Sequence, residues 1–232
     1  MAGPRGLTIA IDGVVGAGKS TAARGLAAAL GYRHLDTGAM YRAVALAAGR
    51  RGVEPADDQG VARLLGEMRL DLEPRAEGVR VLLDGEDVSE EIRRPEVARR
   101  VGSFADLPRV RRAMVTRQQA MGREGGVVAD GRDVGTVVFP EADLKVRLTA
   151  TEAERARRRC AELLARGVRT TVEEVTADLR RRDAEDQRRD YGVAARDEAA
   201  ASTADVVDFD TTGLDLDAVI ARLADWSRQR GG

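Results

Sequence analysis

The strongest chemical signal in the chain is Gly13-Val14-Val15-Gly16-Ala17-Gly18-Lys19-Ser20, which fits the phosphate-loop pattern G-x-x-x-x-G-K-S/T. Its glycines let successive backbone N–H groups curl around a phosphate, and a helix N-terminus adds partial positive charge. Lys19 is spaced to reach the β and γ oxygens of a nucleotide, and Ser20 to hold a magnesium ion; with Thr21 beside it, residues 13 to 21 form the expected nucleotide contact. A glycine-rich turn would match by chance, but the flanks argue otherwise. A short apolar run, Leu7-Thr8-Ile9-Ala10-Ile11, enters the loop, and a helical pattern from Lys19 to Leu30 leaves it.

Two further clusters offer an acceptor side. Leu35-Asp36-Thr37-Gly38-Ala39-Met40-Tyr41-Arg42 puts a hydroxyl at a strand end and an arginine five residues later, a pair suited to a monophosphate; alternatively, Thr37 is an ordinary helix N-cap and Arg42 a solvated cation. Asp130-Gly131-Arg132-Asp133 follows an apolar run at its carboxyl end, where ligands sit in open α/β sheets; the alternative is a charged turn. Between Arg155 and Arg189 the chain is rich in arginine, with Arg157, Arg158, Arg159, Arg166, Arg169, Arg180, Arg181, Arg182 and Arg188. Thr171 and Glu174 form a capping box that starts a helix there. On it Arg182, Asp186 and Arg189 stand at i, i+4 and i+7 and share one face. Read plainly, most of these arginines are a solvated surface, with pairs worth about a few tenths of a kcal/mol.

The elements that must position these groups alternate. Strand patterns at residues 7–11, 33–36, 126–129 (ending in Asp130), 144–148 and 206–209 are interleaved with helical ones, which predicts an α/β sheet. An apolar helix is expected from Ala39 to Ala48, stopping at Gly49, and another around Val61, Leu64, Leu65 and Met68. Alternation at residues 70–73 and a branched run at 79–83 predict a small antiparallel β element. Pro108 opens a helix, a polar loop is expected after Asp130, and Leu216, Val219, Ile220 and Leu223 give a closing amphipathic helix. Few positions between Arg155 and Arg189 read as core, so a mobile two-helix flap is expected. His34 is expected at a strand edge with no catalytic part, and Trp226 as packing for the last helix.

Composition narrows the class. A length of 232 residues fits one domain, perhaps with small subdomains, and 38 basic against 39 acidic residues disfavours nucleic acid as partner. The one cysteine, Cys160, allows no intrachain disulfide and suits a reducing cytoplasm. Residues 1–6 lack a signal peptide's apolar core, and no run approaches the ~20 apolar residues that span a bilayer, so no membrane partner is expected. The absence of Asn-Lys-x-Asp counts against a GTPase.

With Leu35 to Arg42, Asp84-Gly85-Glu86-Asp87-Val88-Ser89 and Ala129-Asp130-Gly131-Arg132-Asp133-Val134-Gly135-Thr136-Val137-Val138-Phe139-Pro140, the chain resembles the bacterial cytidylate kinase family from about Ile9 to Arg189. The resemblance implies a P-loop NTPase-type parallel sheet flanked by helices, a monophosphate-binding insert carrying the small β element, and a helical lid. The parts expected are a core of residues 1–36, 112–154 and 190–232, an acceptor part of 37–111 and a lid of 155–189. By resemblance Thr37, Arg42, Asp130 and Arg132 hold the acceptor, Arg109 and Asp133 read cytosine, and Arg182, Asp186 and Arg189 close from the lid. Lys19, Arg132 and Arg158 are then the catalytic cations, with Arg159 also on ATP. The implied reaction passes a phosphoryl group from ATP to CMP or dCMP, with Mg²⁺, in a cytoplasmic monomer. Kinases acting on UMP, AMP or shikimate, and a non-catalytic nucleotide switch, are the alternatives; the β insert argues against the former and the acid-arginine loop against the latter. Three departures stand out: Gly102, beside Ser103, where the family has a small hydroxyl residue; Val14-Val15 where Pro-Ser is usual, expected to matter little; and a long 190–204 segment without the family's Pro-Leu.

Overall fold

The computed structural model describes residues 6–75, 78–165, 167–188 and 205–231. Leu7 to Ile11 lies almost wholly in the first strand, β1 (Thr8–Gly13), whose interior is buried on both faces as the apolar run requires. The phosphate loop follows, then α1 (Lys19–Leu30), which Gly31 ends in the left-handed conformation with its N–H bonded to Ala27 and Ala28 carbonyls. β2 (Arg33–Asp36) leads directly into α2 (Thr37–Arg50).

α2 departs from expectation at both ends. Its N-cap is Asp36, which accepts the Ala39 N–H at 2.8 Å, so the Thr37 hydroxyl is released from capping. The helix also runs through Gly49 to Arg50, because Ala43 to Ala48 are buried on all sides and packing outweighs the glycine's propensity. α3 (Asp58–Glu67) comes next, then the antiparallel sheet β3 (Leu70–Arg75), β4 (Gly78–Leu83) and β5 (Glu86–Asp87). Asp84 and Gly85 both have positive φ in the two-residue β4–β5 turn, the geometry an Asp-Gly pair favours. Arg50 bonds Glu86 and Glu91 and ties the insert to the end of α2.

α4 (Pro95–Ala105), which was not foreseen, and α5 (Pro108–Gly122) each begin with proline, whose fixed φ suits a first helical turn. β6 (Val127–Asp130) returns the chain to the main sheet. The polar loop expected after it is instead a buried π-helical turn, Val134–Val138. The reason lies in Asp12, whose carboxylate accepts the Val134 and Gly135 N–H groups at 2.8 Å each and winds the backbone inward. β7 (Leu144–Thr149) follows, then α6 (Glu152–Ala165), α7 (Val172–Arg188), β8 (Val206–Asp210) and α8 (Leu216–Arg230). The five parallel strands run in the order β2-β6-β1-β7-β8.

One apolar core surrounds α2 and the insert. A second lies between α1, α8 and the sheet, where Trp226 meets Phe209 edge-on at 5.1 Å, in keeping with its expected packing role. A third corrects the reading of α6 and α7 as nearly coreless: Ala156, Cys160, Val175 and Leu179 enclose Val15 of the phosphate loop. Val15 therefore anchors the helix pair, and its side chain is not idle. The Thr171–Glu174 capping box forms reciprocally, at 3.0 and 3.2 Å. The expected part boundaries at 111/112 and 154/155 fall inside α5 and α6. Residues 190–204 lie outside the described residues, and no described helix is long and apolar enough to cross a membrane.

Candidate active site

β1, β2 and β6 are neighbours, so their carboxyl ends bring the phosphate loop, the Thr37 turn and the Asp130 loop together. Gly13 has φ 147, and a Cβ there would overlap the Leu148 carbonyl oxygen on β7. Gly13→Ala is expected to destabilise the fold by about 1–3 kcal/mol and to weaken ATP binding, read by thermal melting and by nucleotide titration. Gly16 and Gly18 also hold positive φ, and Gly18 caps α1 directly before Lys19.

Lys19 is buried, and its Nζ donates to the Val14 carbonyl at 2.7 Å. Burial, followed by the charge of Arg132, lowers its pKa to about 7, against the pull of Asp130, Asp12 and Asp186. Ser20 Oγ donates to Asp130 Oδ2 at 2.6 Å, and Thr37 Oγ1 donates to the Asp130 carbonyl at 2.7 Å. Asp130 is thus the junction between the phosphate loop and the Thr37 turn. Thr21, by contrast, is exposed on α1.

Arg42 reaches back to Asp36 at 3.1 Å and stands beside Gly38, at the mouth of the Thr37 turn. Arg132 donates to the Gly13 carbonyl at 3.1 Å and to Asp186 of α7 at 2.7 Å, linking the phosphate loop to the helix pair. Arg155, buried, makes a parallel link to the Val15 carbonyl at 2.9 Å and to Asp183 at 2.8 Å. Burial lowers the pKa of Arg182, with Asp178 opposing and Arg132 and Arg159 adding to the effect. Burial also raises Asp12 to about 6, its two backbone hydrogen bonds working the other way.

Several expected residues stand elsewhere. Arg109 lies exposed in an ion pair with Asp58 at 2.7 Å, while Arg111 contacts Asp133. Residues two apart on a helix point to nearly opposite sides, so only one arginine of Pro108-Arg109-Val110-Arg111 can face the Asp130 loop, and it is Arg111. Burial pushes the Asp133 carboxyl up and the Arg111 guanidinium pulls it down. Arg158 bonds Glu154, Thr211 and the Leu214 carbonyl, which braces the β8–α8 turn, and its Nη1 stands beside Gly18 of the phosphate loop. Arg159 pairs with Glu162 at 2.7 Å. Arg189 lies outside the described residues. Gly102 lies within α4.

Sequence reasoning missed Arg111, Asp12, Arg155 and His34. Asp12 alone carried a signal, as an acid closing an apolar strand. His34 does sit on the edge strand, yet its Nε2 lies 2.7 Å from Asp130 Oδ1.

Among the described residues no three His, Cys, Asp or Glu side chains gather as a metal cage. Magnesium asks for less, since it keeps several waters and takes phosphate oxygens beside one or two protein ligands. The Ser20 hydroxyl and Asp130 carboxylate, hard oxygen donors at the loop, fit that need.

The family model described as cytidylate kinase matches residues 9–229. A cytidylate kinase of Geobacter sulfurreducens is 43% identical over 99% of this chain and 96% of that protein. Another, from Pelotomaculum thermopropionicum, is 46% identical over 95% and 97%, and one from Limosilactobacillus reuteri is 41% identical over 95% and 94%.

Proposed function

The chain belongs to the cytidylate kinase family and phosphorylates CMP and dCMP at the expense of ATP, and we propose that it does so with the residues gathered around Asp130. The observation that carries this assignment is the pair of bonds from Ser20 and Thr37 to Asp130, which sets the triphosphate loop and the monophosphate turn side by side.

In this reading residues 13–19 cradle the β and γ phosphates, and Lys19 regains its proton against them. Ser20 and Asp130 hold magnesium, which when bound neutralises charge on the phosphate oxygens. Thr37, Arg42 and Arg132 bind the acceptor phosphate. One of its oxygens bonds to the γ-phosphorus as the bond to the β–γ bridging oxygen breaks, leaving ADP. A phosphate oxygen ionised at neutral pH needs no general base, so positioning and charge neutralisation carry the rate. Arg182 and Asp186 close from α7, Asp186 turning from Arg132 to the ribose hydroxyls, and exclude water.

Asp133 and Arg111 read the base. Cytosine presents an N4 donor beside N3 and O2 acceptors, so a carboxylate with a guanidinium matches it, whereas uracil would set O4 against the carboxylate. The working parts are a core, an acceptor part over 37–111 and a lid over 155–189, in a cytoplasmic monomer. The test is ADP release from ATP and Mg²⁺ with CMP, dCMP, UMP, AMP and shikimate. Turnover is expected with CMP and dCMP, and kcat/KM at least about a hundredfold lower with UMP. Equal use of UMP would sink the base-reading pair.

A further inference from the structure

We propose that His34 is a positioning residue for the phosphoryl transfer, holding the Asp130 carboxylate in the rotamer that presents its second oxygen to Ser20. The proposal rests on the reading of Ser20 and Asp130 as the magnesium-holding pair.

A carboxylate on its Cβ–Cγ bond turns through a broad, roughly two-fold well, so aiming Oδ2 requires that Oδ1 be held. His34 does this at 2.7 Å, and among the described residues no other side chain is bonded to Oδ1. The ring has little freedom of its own. Its side chain is 9% exposed, and Nε2, in the tautomer that carries the hydrogen there, donates to the carboxylate. Among the described residues Nδ1 has no hydrogen-bond partner, which leaves Asp130 as the ring's one hydrogen-bonded anchor there, with the Asp36 carboxylate near enough to feel its charge.

The placement follows from the sheet. β2 pairs with β6 in the register His34 to Val128 and Asp36 to Asp130. His34 and Asp36 are two residues apart and so share a face of β2. The strand that ends in the acceptor turn therefore also steadies the acid that meets the donor loop. Through His34, Asp130 and Ser20, a continuous line of bonds of 2.7 and 2.6 Å crosses from β2 to α1. A leucine at position 34 would fill similar space and leave Oδ1 free to turn away.

The experiment compares the full-length chain with His34→Leu and with His34→Gln, whose amide Nε2 donates from nearly the same place. ATP affinity is measured by calorimetry with Mg²⁺ and with EDTA, alongside KM for ATP, KM for CMP and kcat. His34→Leu is expected to lose about tenfold of the magnesium-dependent gain in ATP affinity. Its affinity in EDTA and its KM for CMP stay within about threefold of the wild type, and His34→Gln recovers most of the gain. The proposal is overturned if His34→Leu keeps the full magnesium effect, if it weakens ATP equally with and without the ion, or if His34→Gln fares no better. A wild-type chain whose ATP affinity ignores magnesium would overturn the metal assignment and this proposal together. A wild-type response that the leucine variant retains overturns this proposal alone.

Discussion

Lys19→Met is expected to lower kcat by about 10²–10³-fold, the usual cost of removing one preorganised cationic or hydrogen-bonding group from a transition state, while the protein stays folded. The stability half of this expectation comes from burial. Water is excluded from the amine, and the resulting pKa of about 7 lies well below the ordinary lysine value. Between pH 7 and the unfolded value the unfolded chain binds more protons than the folded one, so this lysine makes the free protein more stable as pH rises through that window. Denaturation of wild type and variant side by side should show the rise in the wild type and its loss in Lys19→Met. ATP brings negative charge to the same nitrogen and restores its proton. Near pH 8, calorimetry in two buffers of different ionisation heat should register an uptake approaching one proton per ATP bound, and none for the variant.

The second large effect separates two arginines of one helix turn. Arg111→Met should raise KM for CMP about a hundredfold and cost about 3–5 kcal/mol of stability, because it leaves Asp133 buried and uncompensated. Arg109→Met should change stability by about 0.5 kcal/mol at most and leave CMP kinetics untouched, since the Arg109–Asp58 pair is exposed. Replacing Arg111 and Asp133 together by apolar residues should recover most of the stability but none of the CMP recognition. Steady-state kinetics with thermal denaturation on the three proteins checks this, and a variant of Arg109 that behaves like Arg111→Met would reverse the assignment.

That contrast also marks where the sequence stops being informative. The phosphate loop, α1 and β1 were legible because local chemistry dictates them: glycines at positive φ, a short apolar run opening into the loop, a glycine stop. The acceptor turn was legible as a cluster, but its internal roles were not. Asp36 and Thr37 are both good capping residues, and only the position of Asp130 across the sheet decides that Thr37 turns to it. Choosing between Arg109 and Arg111 needs the rotation of α5 against β6, which no pattern around Val110 records. The core beneath α6 and α7 was hidden for a related reason. Its apolar residues are few and sparse, and they become a cluster only when Val15 is delivered from a loop more than a hundred residues earlier. His34 was overlooked because an edge position says nothing about what lies beyond the strand's end.

The strand order carries a consequence for how the chain comes to fold. β1 is hydrogen-bonded on one side to β6 and on the other to β7, both synthesised after residue 126, while its sequence neighbour β2 waits for β6 as well. A chain emerging from the ribosome therefore holds the central strand of its sheet with both edges bare until more than half its length has been made. Pairings of such long separation form slowly, and open edges in the interval invite association with other chains. The α2 and insert region, which closes largely on itself, can settle first and shorten the effective loop that β6 must cross. Substitutions that loosen this region should show their cost in the yield of folded protein made at higher temperature before they show it in the turnover of molecules already folded.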